Sequence, residues 1–139
     1  GPLNMSEDDD RLRYILSNSN AKILFCREDY VSRITTIIPD GIETVRVFED
    51  KAREGGLHER LRELKPYKPD EILPRLDDEC FIVYTSGTTG NPKGVVLVQR
   101  NIIADSAAIA EWHRLDSASR LMCVLPVHHV NGTIVTHTT

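Results

Sequence analysis

Between Tyr84 and Val95 the chain reads YTSGTTGNPKGV, gathering glycines, small hydroxyl side chains and a lysine into one short stretch. A polyphosphate needs dense, short-range donors and at least one cation, and backbone N–H groups can close on it only where side chains do not intervene. Gly87, Gly90 and Gly94 remove that obstruction, and such residues admit left-handed backbone that turns successive amides into one concavity. Ser86, Thr88 and Thr89 add hydroxyl donors, and Lys93 supplies a compact charge. A Walker A loop would require glycine where Pro92 stands and Ser or Thr where Gly94 stands, and no G-x-G-x-x-G occurs. The plain alternative is a connection between two strands, in which glycine, asparagine and proline serve turn geometry alone. Three hydroxyls and a lysine exceed what a turn requires.

A second polar group, His128 and His129, follows Pro126. Besides a functional role, these residues could form a satisfied polar pair at a strand end or ligate a metal. No acidic or cysteine partner stands beside them at metal-ligand spacing. Cys26, Cys80 and Cys123 are far apart and form no C-x-x-C pair, so neither a disulfide framework nor a zinc site is suggested, and all three are expected to be small buried hydrophobes. The acidic run Asp8 to Asp10 reads as a solvated helix start.

The surrounding elements must position these groups. Leu12, Ile15 and Leu16 recur at helical spacing behind those aspartates, and Asn18 and Asn20 punctuate the helix end. The run KILF is a strand, Val31, Ile34, Ile37 and Ile38 mark a second helix stopped by Pro39-Asp40-Gly41, and Thr44 to Phe48 is a further strand. Strand, helix, strand at this spacing predicts a βαβ unit with parallel pairing. LHERLREL makes a short amphipathic helix, and the proline-rich stretch at about 65–75 reads as an extended connector. Cys80 to Tyr84 is expected to be a buried strand leading directly into the glycine-rich loop, with Gly94 to Val98 a strand behind it. A helix follows, with Ile102, Ile103, Ser106, Ile109 and Ala110 inward, and then RLMCVLP as a strand ending at Pro126.

With 139 residues, 40% of them hydrophobic, the chain is about one domain long and is expected to fold around a core. A net charge of −4, with no basic stripe interleaved with aromatics, argues against nucleic acid as a partner. No apolar run approaches the roughly 20 residues of a transmembrane segment, and no signal-peptide layout opens the chain, so a cytoplasmic location is expected. Residues 1–4, GPLN, read as the remnant of a removed affinity tag.

The segment YTSGTTGNPKGV resembles the phosphate-loop signature of the adenylate-forming, AMP-binding superfamily, which includes acyl-CoA synthetases, adenylation domains of peptide synthetases and firefly-type luciferases. DRLRYILSNSNAKILF is similar to the helix and strand upstream in that family, and LPVHHVNG resembles its second signature, so the likeness runs from Asp8 to Thr139. It implies an incomplete α/β fold, with residues 5–139 forming part of the large N-terminal domain and residues 85–93 its phosphate loop. On this resemblance Thr85, Ser86, Gly87, Thr88, Thr89, Gly90 and Lys93 hold the phosphates of ATP while a carboxylate attacks the α-phosphorus and pyrophosphate leaves. His129 matches a histidine between the acyl pocket and the channel that admits the thiol of CoA.

His129-Val130-Asn131-Gly132 favours acyl-CoA synthetases, because peptide-synthetase adenylation domains usually carry an aspartate-led motif there. The implied parent is a fatty acyl-CoA ligase using a small-molecule carboxylic acid, ATP, Mg2+ and CoA. The alternative is a non-catalytic nucleotide-binding or assembly module on the same fold. Two departures stand out: Val98 and Gln99 replace a helix-capping Ser or Thr and a His, so that Asn101 is expected to cap one turn later, and His128 occupies a position often aromatic.

The family's magnesium-holding Glu, ribose-binding Asp and C-terminal catalytic Lys lie downstream of the matched segment, so the chain is expected to be an internal piece of a larger ligase with no catalytic set complete. Strands cut from their neighbours expose apolar surface and edges, and self-association is expected. The 139-residue chain alone is therefore expected not to catalyse ATP–pyrophosphate exchange, and exchange above a no-protein control contradicts this.

Overall fold

Asp8 starts the first helix by accepting the Arg11 N–H on its side chain at 2.8 Å, while Asp9 and Asp10 occupy the first turn, at the positive end of the helix dipole. This is seen in a computed structural model that describes residues 1–66, 73–85, 90–126, 128–129 and 132–133. The chain divides into two units, Glu7–Glu71 on the one hand and Gly1–Ser6 with Ile72–Thr139 on the other. Part of the expected connector lies outside the described residues.

In the first unit, helix α1 (Asp9–Asn18) buries Leu12, Ile15 and Leu16 and ends at Ser19, whose N–H donates to the Ile15 carbonyl. Asn20 takes a left-handed φ of 51°, which asparagine tolerates better than most residues. Strand β1 (Ile23–Arg27), helix α2 (Glu28–Ile37) and strand β2 (Glu43–Val47) follow. The strands pair in parallel from Ile23 opposite Glu43 to Arg27 opposite Val47, as the βαβ spacing predicts. The core gathers Leu12, Ile15 and Leu16 with Ile34 and Ile37 of α2, Cys26 of β1, Val45 of β2 and Phe48. Fully burying such an aliphatic side chain stabilises by about 1.5–3 kcal/mol. Arg33 of α2 ties the two helices at the surface, bonding Asp9 at 2.7 Å and the Glu7 carbonyl at 2.6 Å. Burial, aided by the charge of Asp29, pushes the Cys26 thiol above its ordinary pKa, which suits an inert core residue.

Helix α3 (Leu57–Glu63) carries no buried residue and follows Gly56. Gly56 is itself buried against the Phe48 ring, which Arg53 covers on its way to Glu28, its guanidinium 4.2 Å from the ring centroid.

The second unit is built on strands β3 (Glu79–Thr85) and β4 (Lys93–Val98), paired antiparallel with a register shift between Glu79 and Phe81, and on helix α4 (Gln99–His113). The turn just before β3 supplies the helix start: Gln99 and Arg100 donate their N–H groups to the Asp78 and Leu76 carbonyls at 3.0 and 2.9 Å. Asn101 does not cap one turn later. Its side chain reaches back to accept the Val98 N–H at 3.0 Å, and α4 begins at Gln99 because backbone carbonyls already satisfy its first donors.

Four other expectations need correcting. The β3 run is half-buried rather than buried, and Val95 and Val96 of β4 are about half exposed. An unbroken apolar run reads as covered on both faces, whereas this two-stranded ladder has no further strand beside it among the described residues. On α4, Ile102 is buried and Ser106, Ile109 and Ala110 are half-buried, but Ile103, at the edge of that stripe, is exposed. RLMCVLP forms no strand among the described residues, and Leu121, Met122, Val124 and Leu125 are exposed, because strand propensity makes a ladder only against a partner edge. Of the cysteines only Cys26 is buried; Cys80 and Cys123 are intermediate. No helix among the described residues is long and apolar enough to cross a membrane.

A Cβ at position 56 would stand 2.7 Å from Phe48 Cδ2 and 3.1 Å from the Arg46 carbonyl oxygen. Gly56→Ala is expected to destabilise the fold by about 1–3 kcal/mol through overpacking, measured as a lowered urea midpoint. An unchanged midpoint contradicts this packing.

Candidate functional site

The two arms of the glycine-rich loop are the last residue of β3 and the first of β4. Thr85 pairs with Lys93, Tyr84 with Gly94, Val83 with Val95 and Ile82 with Val96. Opposed residues of an antiparallel ladder share a face, so Thr85 and Lys93 stand side by side on one face of the ladder, and Tyr84 and Gly94 stand on the other. The ladder thereby brings a hydroxyl and an ammonium to the mouth of the loop that joins the strands, residues 86–92.

Within that loop Gly90 holds φ at +101°, a conformation that L side chains rarely adopt, with open space where a Cβ would be. Pro92 is buried and fixes the backbone immediately before Lys93. Thr85 and Lys93 are exposed, and Lys93 forms no ion pair among the described residues. A cation without a counter-charge among the described residues, close in sequence to a left-handed glycine, offers what an incoming anion needs. Ser86, Gly87, Thr88 and Thr89 lie outside the described residues.

The structure gives Gly94 a role that the sequence reading missed. Gly94 lies within β4, and a Cβ there would stand 3.1 Å from Tyr84 Cζ and 3.1 Å from Ile82 Cγ2. Its missing side chain makes room for the Tyr84 ring. The signal was present in the sequence, since an aromatic residue one position before the loop and a glycine one position after its lysine become cross-strand partners once the loop closes.

His129 lies in a turn after Pro126. Its N–H donates to the Pro126 carbonyl at 2.9 Å, its own carbonyl accepts the Thr133 N–H at 3.1 Å, and its ring lies 6.4 Å from that of His128. These contacts do not join it to Thr85 or Lys93. Among the described residues no group of three or more His, Cys, Asp or Glu could hold a metal ion.

In the first unit a cavity of about 250 Å³ opens where β1 and β2 end, lined in part by Arg27, Glu28, Asp29 and Arg53. Arg27 is paired with Asp29 and Arg53 with Glu28, so its arginines are already neutralised. The hairpin is the stronger candidate for an anion.

Known proteins with similar sequences carry the comparison further. The chain is 34% identical over 141 residues to a sulfoacetate–CoA ligase of Cupriavidus necator, covering 97% of this chain and 26% of that protein. It is 32% identical over 139 residues to the mitochondrial malonate–CoA ligase ACSF3 of Xenopus laevis, covering 96% and 22% respectively. Its fold superposes on ATP-bound MatB from Rhodopseudomonas palustris with a TM-score of 0.80 at 28% identity, over 96% of this chain and 26% of that one. The chain thus spans about a quarter of the length of these relatives. With the family model for AMP-binding enzymes matching residues 2–139, which takes in the hairpin, the loop and the βαβ unit together, the chain belongs to the AMP-binding enzyme family.

Proposed function

We propose that this chain is the phosphate-loop segment of an ATP-dependent acid–thiol ligase, which joins a carboxylic acid to CoA through an acyl-adenylate. The observation that carries the reading is the pairing of Thr85 with Lys93, which puts an ammonium with no ion pair among the described residues at the mouth of the loop that holds the left-handed Gly90. Lys93, with the amides and hydroxyls of Thr85, Ser86, Gly87, Thr88, Thr89 and Gly90, would hold the phosphate chain of ATP. As the acid's carboxylate attacks the α-phosphorus, negative charge moves onto the departing pyrophosphate, and fixed donors and a fixed cation stabilise that redistribution. His129 would stand where the acyl group meets the thiol of CoA. Mg2+ would accompany the nucleotide, and the described residues supply no carboxylate cluster of their own for it.

Relatives described as sulfoacetate–CoA, malonate–CoA and long-chain-fatty-acid–CoA ligases share this segment, so the reading extends to carboxylic acids as a class, a fatty acid being one member. The partners are the acid, ATP and CoA. We place the domain limits at residues 5–139, with the phosphate loop at 85–93.

Lys93→Ala in the full-length protein is expected to lower ATP–pyrophosphate exchange by about a hundredfold, the usual scale for removing one preorganised charge-stabilising group. The assay supplies sulfoacetate, malonate and a long-chain fatty acid in turn. Unchanged exchange with the acid that supports turnover overturns the reading. ATP binding by the 139-residue monomer at full-length affinity would favour a non-catalytic binding module instead.

A further inference from the structure

We infer that Tyr84 and Gly94 form a cross-strand lock that holds Lys93 on the face of the ladder shared with Thr85, making Tyr84 a positioning residue for the phosphate grip; this rests on the function proposed above. Side chains along a strand alternate between faces, so a slip of one residue would move Lys93 away from Thr85's face. The aliphatic pairs do little to prevent such a slip, because Val95, Val96 and Leu97 present similar side chains at each step.

Tyr84 can discriminate between registers. Opposite it stands Gly94, and the ideal Cβ position there lies 3.1 Å from Tyr84 Cζ, 3.2 Å from Tyr84 Cε1 and 3.1 Å from Ile82 Cγ2. These separations are tighter than ordinary van der Waals contact, so the ring of half-buried Tyr84 lies over bare backbone. In either neighbouring register Lys93 or Val95 would replace Gly94, and each would bring a Cβ into the space that the ring fills. Only one alignment seats the ring, and in that alignment Lys93 faces the loop mouth beside Thr85.

Two measurements test the lock. Calorimetric titration of the full-length protein with ATP is expected to show about tenfold weaker binding for Gly94→Val and at most a twofold change for Tyr84→Phe, which keeps the ring. Gly94→Ala is expected to weaken binding when Tyr84 is present and to cost less in the Tyr84→Ala background, where only the close approach to Ile82 Cγ2 remains. Equal losses from Gly94→Ala in the two backgrounds overturn the lock. In the 139-residue chain, NMR contacts across β3 and β4 are expected to show the Thr85–Lys93 pairing displaced or lost in Gly94→Val. A ladder that keeps its register in that variant overturns the lock whatever Lys93→Ala does. A displaced ladder combined with a neutral Lys93→Ala supports the lock and overturns the phosphate reading instead.

Discussion

In the antiparallel ladder of β3 and β4, Thr85 stands opposite Lys93, and this pairing decides which side of the sheet carries the ammonium. A glycine- and threonine-rich loop offers donors in any conformation, but donors become a site only when a cation is held in their midst and no internal carboxylate claims it. The ladder meets the first condition by closing the loop between two fixed strand ends. For the second, no ion pair seen among the described residues uses Lys93. Helix α4 steadies the far end of β4, since the Leu76 and Asp78 carbonyls and the Asn101 side chain satisfy the donors where strand becomes helix.

The two units differ in how they are stabilised. Residues 7–66 bury aliphatic side chains from two helices and two parallel strands around Cys26 and Val45. In the unit that carries the hairpin, Ile102 is the large apolar residue that is buried among those described, while Trp112 and Met122 are more than four-fifths exposed. The hairpin's order therefore rests on ladder hydrogen bonds and on local cross-strand contacts such as that of Tyr84 with Gly94.

Much of this was legible in the sequence where a pattern has one physical solution. Leu12, Ile15 and Leu16 at helical spacing behind three aspartates could only bury one stripe and cap one end, and the structure does both. The βαβ unit followed from two short apolar runs separated by a helix too long for a hairpin. Legibility failed where the outcome depends on a partner distant in sequence. Leu121 to Pro126 has strand composition but no ladder, and Ile103 fits a broad apolar face that the packing makes narrower. At the site, residue types raised the expectation of an anion, but the ladder register was needed to assign Gly94 to Tyr84's ring. The placement of His129 relative to the loop was not legible from spacing, because its described bonds are all to its own turn.

The claim at the centre of this account is that the loop between Thr85 and Lys93 encloses a polyphosphate. The most direct test follows the backbone amide resonances of the isotope-labelled 139-residue chain during titration with inorganic pyrophosphate. The account predicts that the amides of Thr85, Gly90 and Lys93 shift together along one binding curve. If those three amides stay in place while resonances elsewhere move, or if none move, the account is contradicted.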